Sequence, residues 1–119
     1  MTLSTLLLVV FSVAMGVAGQ LLLKRGMMAH PDLQLELGAL IKAILQPAVL
    51  IGFVCYGLAA VTWLVVLSRA PLSVAYPMLS LGYAAVAVLS WYFFGETLSA
   101  AKLAGIVAIL GGIVLLSRA

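Results

Sequence analysis

The sequence predicts an all-α membrane protein with four transmembrane helices and a short interfacial helix between the first and the second. Of the 119 residues, 66% are hydrophobic and only 8% are charged, which is far from the composition of a soluble domain. A helix needs roughly 20 mostly apolar residues to cross a bilayer, and four windows are long enough: about Leu3–Leu23, Ala48–Leu67, Leu72–Phe94 and Ala100–Ser117. We expect residues 1–119 to form a single four-helix transmembrane domain.

The lysines and arginines predict how this domain is oriented. Both termini share one side with Arg69 and Arg118, and the other side has Lys24, Arg25, Lys42 and Lys102. Because cytoplasmic loops are enriched in Lys and Arg, the connections between spans one and two and between spans three and four are predicted to be cytoplasmic. The margin is small, so insertion in both orientations is an alternative. Basic residues follow the first window and none precedes it, which indicates a retained span rather than a secretory signal.

The connection between the first two spans, HPDLQLELGALIKAILQP, predicts the interfacial helix. Its apolar residues recur at helical spacing on one face, and its charged residues fall largely elsewhere. The apolar set is Leu33, Leu37, Leu40, Ile41, Ile44 and Leu45. In the connection between the last two spans, Gly95 is a predicted helix stop, and either Thr97 or Ser99 caps the final helix.

A stripe of small and polar residues marks the inward face of the first span. Ser12, Gly16, Gln20 and Lys24 follow one another at a spacing of four, which places them on one face of a helix. Gln20, Lys24 and Arg25 are therefore candidate binding residues. A Lys-Arg pair also commonly marks a helix end and sets topology, and this alternative is stronger for Arg25, which points away from the stripe.

The second and third spans have corresponding inward faces. Trp63 closes a stripe in the second span, and Tyr76, Ser80 and Tyr83 lie in a seam of the third with spacings of three and four. The other members of the second-span stripe are Gly52, Tyr56 and Ala59. We interpret Trp63, Tyr76 and Tyr83 as cavity-lining residues. Ser80 either joins them or allows close helix packing.

Pro77 predicts a kink beside this seam. A proline inside a helix removes the hydrogen bond to the carbonyl four residues earlier, here that of Ser73. The freed backbone groups would lie where serines and tyrosines can line a site.

The fourth span has small residues at heptad-like spacing. Gly105 and Gly112 are seven residues apart, with Ala108 between them, and such residues let two helix backbones approach closely. We assign this stripe to dimerisation.

The polar residues do not assemble a catalytic constellation, because there is no carboxylate pair, His cluster, nucleophile with a base or phosphate-binding loop. A single cysteine, Cys55, allows neither a disulfide nor a cysteine-based metal site within one chain. We therefore expect no enzyme activity, no cofactor, no metal and no nucleic-acid partner.

The motif LSWYFFGETLS, followed by the Gly105–Gly112 pair, resembles the third and fourth helices of small multidrug resistance transporters in the drug/metabolite transporter superfamily. Trp63 matches their substrate-packing tryptophan. Those exporters have a membrane-embedded glutamate that exchanges protons for cationic drug, and counting back from Lys24 that position is Gly16 here. A proton-coupled drug antiporter is therefore not expected.

The motifs VAGQLLLKRG and PLSVAYPMLSLGY are more similar to the two small subunits of the aminoarabinose-phosphoundecaprenol flippase and to related half-size, EamA-like transporters. This resemblance implies a multi-pass protein of the bacterial inner membrane that works as a pair of subunits and moves a polyprenyl-phosphate-linked sugar. The pair is either a homodimer or a heterodimer with a sister subunit, and we expect the two subunits to be antiparallel.

On this hypothesis Gln20, Lys24 and Arg25 hold the phosphate, and the sugar passes Tyr76, Ser80 and Tyr83 while the prenyl tail stays in lipid. No energy-coupling group is visible, so transport is predicted to be passive or to use the charge of the substrate. Two alternatives stay open. One is an exporter of a small metabolite or drug, and the other is a non-transporting membrane subunit that stabilises a partner.

Overall fold

The computed structural model describes residues 2–30 and 35–118, and all regular secondary structure in these residues is helical. The helices are α1 (Leu3–Met27), α2 (Leu37–Ile44), α3 (Pro47–Arg69), α4 (Leu72–Met78), α5 (Ser80–Phe94) and α6 (Ala100–Arg118). Four spans are long and apolar enough to cross a membrane: α1, α3, α4 together with α5, and α6. The predicted fold class is therefore confirmed, including the short helix after the first span.

The connection after α5 is organised by one glycine and one serine. Gly95 has a φ of +68°, a left-handed conformation that favours glycine and ends the helix. Ser99 Oγ accepts a hydrogen bond from the Lys102 backbone N–H at 3.2 Å, so Ser99 caps α6. Thr97 contributes its backbone carbonyl instead, which accepts from Lys102 Nζ at 2.7 Å.

The third span is divided into α4 and α5 two residues after Pro77. Pro77 has no N–H to donate to the Ser73 carbonyl. At the division, the Leu79 N–H donates to the Tyr76 carbonyl at 3.0 Å, and the Gly82 N–H donates to the Leu79 carbonyl at 2.9 Å. These contacts close tighter turns than an α-helix, so the interruption falls on Leu79.

The most extensive packing in the molecule joins α1 and α3. The two helices cross where Gly19 faces Gly52: a Cβ atom on Gly19 would lie 2.9 Å from the Gly52 carbonyl oxygen, and one on Gly52 would lie 3.1 Å from the Gly19 carbonyl oxygen. A backbone oxygen lies in the way in both cases, and at Gly52 the Leu23 side chain is equally close, at 3.1 Å. The two glycines therefore allow this approach, and the clash of an added side chain would be most severe at Gly19.

The interior is small and the outside is apolar. Val9, Val66 and Ala75 form the buried cluster, with Trp63 and Met78 among the partly buried residues packed against it. Most large apolar side chains are exposed on the outer faces of the helices, as lipid-facing positions require. The last span, α6, contacts α4 and α5 and has no buried residue among those described.

The short helix α2 packs against α3 and buries Ala43. Leu37, Ile41 and Ile44 are exposed, which suits a helix lying in the membrane interface. Leu33, at the start of the predicted apolar face, lies outside the described residues.

Candidate functional site

A cavity of about 270 Å³ lies between α1, α3 and α5. From α1 the lining residues are Ser12, Val13, Gly16, Val17 and Gln20. From α3 they are Tyr56, Ala59, Ala60 and Trp63. From α5 and the turn before it they are Leu79, Gly82, Tyr83 and Val86. The cavity therefore lies where three of the four spans meet.

The cavity lies near the middle of these spans. In the first span, 3–27, the lining residues fall within 12–20. In the second span, 47–69, they fall within 56–63, and in the third, 72–94, within 79–86. Each lining segment contains the midpoint of its own span. The cavity thus faces the depth of the bilayer centre, where many transporters place their substrate sites.

Small residues hold the three walls together. On α5, a Cβ atom on Gly82 would lie 3.3 Å from a Val13 methyl carbon of α1, so the glycine lets α5 rest on α1. Ser12 Oγ donates to the Ala59 carbonyl at 2.9 Å and is buried. This bond links α1 to α3 on the cavity wall and satisfies the serine, so Ser12 supports the site rather than offering a free donor.

One polar pair faces the cavity from two helices. Gln20 Nε2 donates to Tyr56 Oη at 3.1 Å. Both residues are exposed, and so is Tyr83 of α5, whose exposed fraction is 62%. The cavity is therefore open to its surroundings rather than sealed.

The cavity lining has hydrogen-bonding and aromatic groups but no charge among the described residues. Tyr56, Trp63 and Tyr83 supply the aromatic rings. Gly16 lines the wall at the position where the resembled drug exporters have a glutamate. No group of three or more His, Cys, Asp or Glu residues that could hold a metal occurs within residues 2–30 and 35–118.

The structure brings three of the predicted binding residues together, namely Gln20, Trp63 and Tyr83. Lys24 and Arg25 are exposed in the last turn of α1, beyond the cavity. Ser80 is half-buried at the start of α5, and Tyr76 is exposed on α4. Neither of these two lines the cavity.

The predicted dimerisation stripe lies on an open face of α6. A Cβ atom on Gly105 or on Gly112 would meet nothing within 4 Å, and Ala108 is exposed. This face of the chain is therefore available to a second subunit.

Sequence reasoning did not select Tyr56. Its stripe on the second span was visible, and Trp63 was selected from that stripe, but spacing alone does not say which member meets a polar partner on another helix. A similar depth is the signal that could have found it, since Gln20 lies seven residues before the end of α1 and Tyr56 nine residues after the start of α3.

A four-span membrane protein with an open cavity at mid-span depth has the architecture of a small membrane transporter. The chain belongs to the EamA-like transporter family, whose sequence profile matches residues 1–118.

Its relatives include proteins named as probable subunits of a lipid flippase. The chain is 44% identical over 111 residues to the probable 4-amino-4-deoxy-L-arabinose-phosphoundecaprenol flippase subunit ArnF of Proteus mirabilis, covering 83% of this chain and 80% of that protein. It is 36% identical over 118 residues to the probable ArnF subunit of Erwinia tasmaniensis, covering 93% and 92%. A probable ArnE subunit of the same flippase, from Escherichia fergusonii, is 44% identical over 66 residues, covering 56% and 60%. No solved structure matches the chain.

Proposed function

We propose that this protein is a flippase subunit that moves a polyprenyl-phosphate-linked sugar across the bacterial inner membrane. One observation supports this function above the others: a neutral, aromatic-lined cavity at mid-span is followed along the same helix by an exposed pair of cations. A lipid-linked sugar needs both environments, one for the sugar ring and one for the phosphate. The names of the ArnF and ArnE relatives point to the same substrate class.

The phosphate is assigned to the end of α1. Lys24 follows Gln20 by four residues, which places it on the same helix face about 6 Å further along the axis. Arg25 adds a second exposed cation. Long basic side chains near a helix end reach the headgroup region, and phosphate forms strong charge-assisted hydrogen bonds there.

The sugar is assigned to the cavity and to the polar residues of the third span. Tyr83 lines the cavity, and Ser80 and Tyr76 precede it along the chain towards the other end of that span. The prenyl tail stays in lipid, because the outer faces of the helices are apolar.

The working unit is a pair of subunits. ArnE and ArnF are named as separate subunits of a flippase, and α6 of this chain has an open face of small residues. We propose an antiparallel partner across that face, either a second copy or a sister subunit.

Transbilayer movement of labelled 4-amino-4-deoxyarabinose-phosphoundecaprenol in proteoliposomes tests the proposal. Wild type is compared with Gln20→Ala and Lys24→Ala, each reconstituted alone and with a sister subunit. We expect both substitutions to slow movement by about tenfold, since each removes a hydrogen bond or a charge contact to the substrate. Lys42→Ala is the matched control, because Lys42 is exposed on the same side of the domain but belongs to α2.

Uptake of a panel of soluble metabolites is measured in the same vesicles. Lipid movement that is insensitive to Gln20→Ala and Lys24→Ala would contradict the assigned roles. Metabolite uptake without lipid movement would replace the flippase with the small-metabolite exporter, for which a neutral cavity of about 270 Å³ is also suitable.

A further inference from the structure

The hydrogen bond between Gln20 and Tyr56 leaves several polar groups available in the cavity. Gln20 Nε2 donates to the phenol oxygen at 3.1 Å, so the phenol proton points elsewhere and is free to be donated. An amide has two N–H donors and one carbonyl acceptor, so Gln20 keeps one donor and its acceptor. The pair thus offers two donors and an acceptor at one place on the wall.

The Gly19–Gly52 crossing fixes the position of this pair. A Cβ atom on Gly19 would lie 3.4 Å from Cδ2 of the Tyr56 ring and 3.3 Å from the Tyr56 nitrogen. The backbone of α1 therefore rests on the tyrosine, and the next residue of α1 is Gln20. One edge of the ring therefore lies close to the α1 backbone, and its hydroxyl lies beside the amide.

The charged residues that the structure describes lie outside the cavity, so the phosphate is expected to bind outside it and not at the Gln20–Tyr56 pair. None of the described cavity residues is charged, and moving an unpaired anion into such a site is costly. The exposed cations begin one helical turn further along, at Lys24. A group bound at Gln20 and Tyr56 is therefore not an anion and has several hydrogen-bonding groups, as a sugar ring does, and the phosphate next to it lies outside the cavity.

The volume of the cavity suits a small part of the substrate. At about 270 Å³ it falls below the roughly 300–1,000 Å³ of sites that hold drug-sized ligands. One sugar ring suits this space better than a polyprenyl chain, and the aromatic walls suit the apolar faces of such a ring.

We infer that the Gln20–Tyr56 pair is the recognition element for the sugar ring, with Tyr56 as a specificity-determining residue, while Lys24 holds the adjoining phosphate. This inference rests on the proposed flippase function and divides its substrate between two neighbouring sites. Gln20, which the sequence analysis assigned to the phosphate, binds the sugar instead, and Tyr56, which was not predicted from the sequence, joins it.

The test compares two lipids that share the polyprenyl chain, one with the sugar on its phosphate and one without it. Binding of 4-amino-4-deoxyarabinose-phosphoundecaprenol and of undecaprenyl phosphate is measured on the purified protein in nanodiscs, in the oligomeric form extracted from the membrane. Tyr56→Phe removes the hydroxyl and keeps the ring against Gly19. We expect it to weaken binding of the sugar-linked lipid by about tenfold and to leave undecaprenyl phosphate unchanged. Lys24→Ala is expected to weaken both.

The matched control is Tyr92→Phe. Tyr92 is 71% exposed, pairs edge-to-face with Phe93 and lies outside the cavity, so its hydroxyl is not expected to affect either lipid. A double-mutant cycle with Gln20→Leu gives a second readout. If the two residues act as a pair, Gln20→Leu weakens binding of the sugar-linked lipid much less when Tyr56→Phe is already present.

The outcomes separate the two levels of the proposal. Equal loss of both lipids in Tyr56→Phe, an unchanged preference for the sugar-linked lipid, or strictly additive effects in the cycle would overturn the sugar site and leave lipid handling intact. A wild-type protein that binds neither lipid would overturn the flippase function, and the sugar site would fall with it.

Discussion

Gly16 occupies the middle of the cavity wall on α1, and it has room for a side chain. The nearest atom to a Cβ placed there is Ala59 Cβ at 4.0 Å, which is ordinary van der Waals contact. The absence of a carboxylate at this position is therefore a property of the sequence that packing does not require. A single residue decides whether this cavity is neutral or anionic.

Gly16→Glu is expected to give the cavity affinity for a lipophilic cation. The carboxylate would face three aromatic rings, and cations bind both to aromatic faces and to a carboxylate. Binding of tetraphenylphosphonium, measured by calorimetry in detergent, should rise with pH, since only the ionised acid attracts a cation. Gly16→Gln is the matched control, and equal binding by the two variants would contradict the prediction.

Gly19→Ala is expected to lower the stability of the protein by about 1–3 kcal/mol, the usual cost of overpacking. The added methyl group would meet the Gly52 carbonyl oxygen at 2.9 Å, and α1 and α3 would have to separate. The measurement is the Tm in detergent. Gly57→Ala serves as control, because a Cβ on Gly57 meets nothing within 4 Å. Equal Tm values for the two variants would argue against the close crossing.

At the scale of elements, the division of the third span separates two packing environments. α4 contacts α3 and α6, whereas α5 contacts α1 and α6. Leu79, at the junction, lines the cavity. Both segments contact α6, and the interruption joins α4, which packs against α3, to α5, which packs against α1 and forms a cavity wall.

Pro77→Ala is expected to make the third span more continuous. Alanine restores the N–H that the Ser73 carbonyl lacks and removes the clash of the proline ring with the preceding turn. Hydrogen exchange should show the Leu79 amide exchanging at least about tenfold more slowly than in wild type. Pro47→Ala is the control, because Pro47 starts α3, where a missing N–H costs little. Unchanged exchange at Leu79 would assign the interruption to another cause.

The spans could be predicted from the sequence because each depends on a sum over roughly 20 residues. The predicted windows and the observed helices differ by a few residues at most, for example Leu3–Leu23 against Leu3–Met27. The extra turn contains Lys24 and Arg25, which are too polar for a hydropathy window but continue the helix without difficulty.

The composition of the cavity was harder to predict, because it depends on the rotation of one helix against another. Trp63 and Tyr83 line the cavity, and both lie on helix faces that the spacing of residues predicted to point inward. Tyr76 does not line it, because it lies on α4, and the part of the third span that lines the cavity begins at Leu79. Tyr56 could be predicted only by knowing that α3 crosses α1 at Gly19. That crossing depends on two glycines, Gly19 and Gly52, which lie on separate spans.

At the scale of the whole molecule, one complete helix, α6, does not contribute to the buried interior formed by the described residues. α6 has no buried residue among those described, whereas each of the other three spans has at least four. Gly105, Gly111 and Gly112 all face open space. Glycine offers lipid little surface to contact, so such a face suits another helix better than it suits acyl chains.

Gly112→Leu is expected to weaken association between subunits by about tenfold, because a large side chain would hold two α6 backbones apart. Gel filtration and concentration-dependent energy transfer in detergent would measure the change. Gly57→Leu, on an open position of α3, is the control. An unchanged oligomer in Gly112→Leu would remove α6 from the interface.

Cysteine crosslinking tests the orientation of the pair after Cys55 is replaced by Ala. In an antiparallel pair, a cysteine at position 103 of one subunit crosslinks to position 116 of its partner, and two cysteines at position 103 do not meet. The reverse pattern would establish parallel subunits.

The contact between α1 and α3 also has a consequence for how the protein is made. All of it lies within the first 69 residues, and a chain leaves the ribosome N-terminus first. Gly19 can therefore pack against Gly52, and Gln20 can bond to Tyr56, before the third span has entered the membrane. The cavity has no third wall until α5 has entered the membrane. Translation thus assembles the hydrogen-bonding pair first and the compartment around it afterwards.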